Sequence, residues 1–422
     1  MKHFLMALLF FHTLAADTYR LDNGMKVVLM PMEADDEVYF ELSAKGGFAQ
    51  LPPEEQAAGR ISADVIWEAG LDGFSSEELS AKLYEASVEI TPEVSPLFRR
   101  IEGSGWKGGL DTLLEISTLM FKDPKLNEEA VKKGLNRVAK KFRREEGLKD
   151  LHFETQSHLL NTQNWPPFKP LTHEALKETS WKNVASFYQK AFSSPEEFVL
   201  VIVGDFEMEE TKKAVQKTLG AIPKKPSDFF KTPPKFPAFP QKPKMLKIVQ
   251  KGRIDAFSRI TFPVTLQLTP ETRKELAFLC KVIEAALKKE LRNERGAMHG
   301  IDVSYELPFF PYVSSAWVII QFHANPGDIK KLSKTIENRL KSLKITPEAI
   351  QDVENEMENY ESFWENMPSV KISQLSNVLL FGWSSKEAKT WDTPPQIGTE
   401  KLQKLKDELI NFEEYTELIL LP

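Results

Sequence analysis

Seven histidines and one cysteine are the imidazole and thiolate ligands this 422-residue chain could offer a metal. His3 and His12 fall in the first sixteen residues, which leaves His152, His158, His173, His299 and His323. No two of these five stand three or four positions apart, the spacing that places two imidazoles on one helix face. His152 and His158 are six apart and point to different faces. Cys280 is alone, so it can make neither an internal disulfide nor a cysteine metal site. It falls in the apolar pattern Leu276, Leu279, Cys280, Ile283 and reads as core packing. By residue type alone, Arg292 suits the C-terminus of the preceding helix, where a cation is favoured, and His299 is a turn residue.

The elements that position these residues follow one plan twice. Lys26 to Met30 and Val38 to Ala44 read as strands, and Gln56 to Glu68 as a helix. Val88 to Ile90 and Leu97 to Ile101 read as paired strands. Leu110 to Phe121 and Glu128 to Arg144 carry apolar residues at three- and four-residue spacing, the helical period. The order returns after residue 243. Lys244 to Val249 and Ser258 to Phe262 are strands, Pro270 to about Arg295 is a long helix, and Gly300 to Tyr305 and Trp317 to Phe322 are strands. Helices then begin near Asp328 and at Pro347, the latter behind the N-cap Thr346. Between the two sets, Pro223 to Pro243 holds seven prolines. Proline removes the backbone donor and fixes φ, so neither a helix nor a central strand runs through that segment. The chain therefore divides into 1–16, 17–222, a linker 223–243, and 244–422. The fold class is α+β: two homologous domains, each an antiparallel sheet with helices packed on one face.

Composition excludes several functions. The formal net charge is -6, and the densest basic cluster, Lys140, Lys141, Arg143 and Arg144, runs straight into Glu145 and Glu146. A nucleic-acid binder needs a basic face to neutralise phosphates. The first sixteen residues are of another kind: a basic start at Met1-Lys2-His3, an apolar run from Phe4 to Leu14 broken only by His12 and Thr13, then Ala15-Ala16. This is the layout of a secretory signal peptide, too short to span a bilayer, which takes about 20 apolar residues. The expectation is export, to the periplasm or beyond, with no membrane association once the leader is cleaved.

Several stretches, in order, resemble the pitrilysin/insulinase family of zinc peptidases. Tyr19 to Leu29, YRLDNGMKVVL, is similar to its opening strand. Pro167 to Phe192, with PPFKPLT and SWKNVASFYQKAF, resembles the loop and helix before the last strand of a domain. Phe198 to Asp205 is similar to that strand, Leu219 to Pro223 to the domain's close, and Arg292 to Val303 to a turn in the second domain. The family binds zinc through H-x-x-E-H and a more distant glutamate, the internal glutamate activating water. Placed on this chain, the motif's three positions fall on Ser62, Val65 and Ile66. Valine and isoleucine have no lone pair to give, and serine is a poor zinc ligand beside imidazole. Zinc lowers the pKa of its water from roughly 15.7 to about 7, on the order of 12 kcal/mol at about 1.36 kcal/mol per unit. No scattered side chains replace that.

The resemblance implies a half-clamshell with no catalytic residue and no metal of its own, inactive alone. It would pair with a zinc-bearing subunit of the same family, help bind peptide substrate, and reach that substrate with Arg292 and His299. In the family the second position is tyrosine, so His299 is a departure. The alternative is a stand-alone exported peptide-binding protein without proteolytic activity, taking extended peptides by strand addition.

Overall fold

The computed structural model describes residues 16–145, 151–226, 229, 232–265, 267, 269–290, 298–364, 367–382, 395 and 397–422. The leader, save Ala16, lies outside them, as does Arg292. The first part contains β1 (Asp17–Arg20), β2 (Lys26–Pro31), β3 (Glu37–Lys45), α1 (Gln56–Ala69), α2 (Ser76–Glu85), β4 (Val88–Val94) and β5 (Phe98–Trp106). Then come α3 (Leu110–Lys122), α4 (Glu128–Glu145), α5 (Leu151–Asn161), α6 (His173–Glu178), α7 (Trp181–Ala191), β6 (Phe198–Gly204) and α8 (Met208–Lys217). The second part contains β7 (Lys244–Val249), β8 (Ala256–Thr265), α9 (Pro270–Glu290), β9 (Met298–Glu306) and β10 (Ser315–Ala324). It ends with α10 (Ile329–Ser342), α11 (Pro347–Trp364), α12 (Pro368–Phe381), α13 (Thr399–Leu409) and β11 (Thr416–Leu421).

The duplication is visible in strand order. The first sheet runs β1-β2-β6-β3-β5-β4 and the second β7-β11-β8-β10-β9. Without β1, the two orders correspond strand for strand. Each sheet is antiparallel except for one parallel pair at the same place, β2 with β6 and β7 with β11. The turn after β1 is fastened to the end of its domain. Asn23 donates from Nδ2 to the carbonyls of Leu219 (2.8 Å) and Ile222 (3.0 Å). Gly24 follows at φ +94, where a Cβ would come within 2.7 Å of the Cβ of Glu196. The Asn-Gly and Leu-Gly-Ala-Ile-Pro stretches are thus two sides of one contact.

The helices do not stay with their own sheets. Every residue of β6 is buried, so both faces of that strand must be covered. Phe198, Leu200 and Ile202 face the helical core of their own domain. Val199, Val201 and Val203 meet Ile372, Leu375 and Val378 of α12, from the other half of the chain. In return α5 lies on the second sheet. Phe153 packs edge-on against Phe257 at 4.8 Å between centroids, Glu154 forks onto Arg259, and Asn161 accepts a hydrogen bond from Thr416. The described residues of Pro223–Pro243 form neither helix nor strand. Phe229 nevertheless stacks over the guanidinium of Arg99 at 4.1 Å, and Phe236 and Phe239 join Trp165, Phe309 and Trp317 between the two sheets.

Candidate functional site

A cleft of about 1110 Å³ opens beside α1. The apolar stripe of α1, Ala58, Ile61, Ser62, Val65, Ile66 and Ala69, is buried, and the remaining face of that helix lines the cleft through Arg60, Asp64, Trp67 and Glu68, with Ile61 at the border of the two. Opposite them α4 presents Val138, Lys141 and Phe142, and α5 presents Phe153 and Thr155. The rim is closed by Glu93 and Val94 at the end of β4, by Ile248, Val249, Gln250 and Lys251 at the end of β7, and by Leu420 of β11. Both halves of the chain therefore build it.

Ser62, Val65 and Ile66, the positions on which the metal motif falls, do not line this cleft. All three are fully buried and turned into the domain, and the hydroxyl of Ser62 donates to the carbonyl of Gly59 at 2.8 Å. Behind Val65 the helices are in contact: a Cβ on Gly134 of α4 would lie 2.2 Å from the Val65 carbonyl oxygen. Of the neighbouring positions, Asp64 is exposed to the cleft and the buried Ile61 borders it. Lining this face are carboxylates from Asp64 and Glu68 but no histidine among the described residues. Reading the polar face of α1 instead of its apolar stripe would have found them, since Arg60, Asp64 and Glu68 recur at four-residue spacing.

The charges in the cleft are mixed. Arg60, Lys141 and Lys251 face Asp64, Glu68 and Glu93. Arg60 donates to the carbonyl of Lys169 at 2.9 Å, and burial lowers its affinity for its proton. Glu68 lies 3.6 Å from a guanidinium nitrogen of Arg137. Burial pushes the carboxyl of Glu93 above the usual carboxylate range, against the pull of Arg100. Trp67, Phe142, Phe153 and Val249 supply apolar walls. β4 is the last strand of its sheet, and among the described residues no strand pairs with its outer edge, next to the cleft. Apolar walls, charges of both signs and a free strand edge can hold an extended polypeptide.

The other sequence candidates are scattered. His158 sits 3.1 Å from Glu306 of β9, His173 accepts from Arg143 at 3.2 Å, and His323 bonds Asp255 at 2.7 Å. His299 lies in β9 at an irregularity, where His323 pairs with Gly300 but Ala324 pairs with Met298. Cys280 is buried, which pushes its thiol up to about 12.

The fold agrees with what the chain is similar to. Residues 180–358 match the model of the peptidase M16 inactive domain. A zinc protease PQQL-like protein of Arabidopsis thaliana is 24% identical over 294 residues, covering 67% of this chain and 28% of that one. The crystal structure of the periplasmic protease PqqL from Escherichia coli superposes with a TM-score of 0.76 at 13% identity, over 96% of this chain and 45% of that chain. The peptidase M16 inactive domain from Pseudomonas fluorescens gives a TM-score of 0.76 at 12% identity, over 97% and 98%. At such identities the structural likeness shows the fold alone. The matched segments span only about a quarter of the curated relatives, 28% and 22%.

Proposed function

We propose that this chain is the non-catalytic half of an exported M16 peptidase, which holds peptide in its cleft and pairs with a zinc-bearing partner of the same family. The observation that carries the reading is the cleft face of α1. In an M16 fold, that helix turns Arg60, Ile61, Asp64, Trp67 and Glu68 to the cleft, a set that offers no imidazole pair to a metal. Zinc is then expected in the partner alone. Arg292 and His299 are proposed to bind the substrate backbone near the scissile bond.

The test is reconstitution. The chain is mixed with a zinc-bearing M16 subunit from the same cell envelope, and peptide cleavage is measured with each alone and with both. The expected result is a stable complex more active than the zinc subunit by itself. In that complex, His299→Ala should lower kcat by about 10²–10³ if it serves an oxyanion, and His299→Tyr should retain activity. One zinc held per isolated chain, with chelator-sensitive cleavage, would end the non-catalytic reading. The free edge of β4 supports a second reading, a peptide-binding protein that works alone. Peptide affinity unaffected by any partner, with no complex formed, would favour it.

A further inference from the structure

A second, smaller cavity lies away from the cleft, on the helical side of the second sheet. It measures about 260 Å³ and lies between β7, β11 and β8 below and α10 above, with Phe412 and Tyr415 among its walls. Glu417 of β11 stands in its floor, with Met245 of β7 and Ile260 of β8 beside it in register. The residue is 3% exposed. Its Oε1 accepts two hydroxyl hydrogen bonds, from Ser258 at 2.9 Å and from Ser333 at 2.6 Å. Among the described residues no hydrogen bond reaches Oε2, and no cation pairs with the carboxylate. A buried carboxylate is costly unless it is paired as well as hydrogen-bonded. Both serines donate to one oxygen and leave the other oxygen to something else.

Lys334 lines the cavity and is engaged by Glu337, which also pairs with Lys341 outside it. Lys330 lines the cavity from the same helix, is exposed, and makes no ion pair among the described residues. The cavity thus has an anion at its floor, a cation at its mouth, and Met245, Ile260, Ile419 and two aromatic rings between. Its volume lies just below the roughly 300–1,000 Å³ of drug-sized sites, which points to a ligand of amino-acid size.

We propose that this cavity binds a free α-amino acid with an apolar side chain, its ammonium on Glu417 and its carboxylate on Lys330. Charge-assisted hydrogen bonds at each end would set its orientation, and the side chain would fill the apolar middle. The site is separate from the peptide cleft and stands whether or not a zinc-bearing partner exists.

Calorimetric titration of the full chain tests this with three probes: L-leucine, N-acetyl-L-leucine, which lacks the ammonium, and isopentylamine, which lacks the carboxylate. Leucine is expected to bind, the acetylated form not to bind, and the amine to bind more weakly than leucine. Glu417→Gln should weaken leucine at least about tenfold, one charge-assisted contact at about 1.4 kcal/mol per decade. Lys330→Ala should weaken leucine and leave the amine unchanged. Met245→Trp, a change at a half-exposed position, should fill the cavity and block all binding, and it decides the matter if Glu417→Gln fails to fold. The assignment is overturned by the absence of leucine binding at millimolar concentration. It is equally overturned by wild-type affinity in Met245→Trp or in folded Glu417→Gln, and wild-type leucine affinity in Lys330→Ala overturns the role of that lysine.

Discussion

His158 of α5 and Glu306 of β9 lie 148 positions apart in the chain and meet at 3.1 Å between Nε2 and Oε2. The imidazole also lies 5.3 Å from the ring of Phe168 and 5.7 Å from that of Trp317, so a helix from the first half is tied to the second sheet by a polar bond set among aromatic rings. Burial pushes the Glu306 carboxyl upward, but the hydrogen bond from His158 and the nearby charges of His158 and Arg259 together bring it below its ordinary value of 4.5.

A depressed carboxyl contributes stability that is complete above its unfolded value and is lost as pH falls through the folded one. Glu306→Gln should therefore melt below wild type at neutral pH, and the gap should close below about pH 4.5. Both side chains are about one-third exposed, so the loss at pH 7 should be about 1 kcal/mol or less. Thermal melts of both proteins from pH 3 to 7 measure it. A gap that persists in acid would assign the loss to packing.

Arg99 should be among the most sensitive positions. It is fully buried, pairs with Glu197 at 2.7 Å, donates to the carbonyls of Gly46, Ala191 and Lys45, and lies between the rings of Phe198 and Phe229. Arg99→Met removes the cation paired with Glu197 and the side-chain donor to three carbonyls. The expected loss is about 3–5 kcal/mol, read from urea unfolding, and Arg99→Lys should recover only part of it.

Gly134 marks the crossing of α4 over α1. A Cβ there would lie 2.2 Å from the Val65 carbonyl oxygen and 3.1 Å from the Ala69 nitrogen. In an isolated helix Gly→Ala stabilises by about 1 kcal/mol. Here it should destabilise by about 1–3 kcal/mol as the helices are forced apart. A melting temperature at or above wild type would show that the pair relaxes freely.

Cys280 should be silent toward thiol reagents. Its thiol is buried and held up to about 12 from an ordinary 9.0, and the thiolate is the reactive form. Native protein at pH 8 should show no labelling over hours, and one thiol per chain after denaturation. Stability linked to this thiol is complete below pH 9 and is lost as pH rises toward 12. Rapid labelling of the native state would place Cys280 at an opening segment.

What could be read from residues alone was whatever depends on neighbours in sequence. The strand-and-helix order emerged from the periods of two and 3.6, and the repeat from seeing that order twice. The proline segment broke both periods where neither sheet passes. Two shortfalls share one cause. The burial of β6 on both faces was written in Phe198–Val203, but nothing local told which helix lies over Val199, Val201 and Val203. That helix is α12, about 170 residues on. Likewise the motif fell on Ser62, Val65 and Ile66, which are buried, while the cleft is lined by the polar residues of α1 and completed by the ends of β4, β7 and β11. Periodicity names the face of a helix that is buried. Only the arrangement of all the layers decides which of the remaining faces opens onto solvent, onto another domain, or onto a cavity, because that depends on contacts between residues hundreds of positions apart.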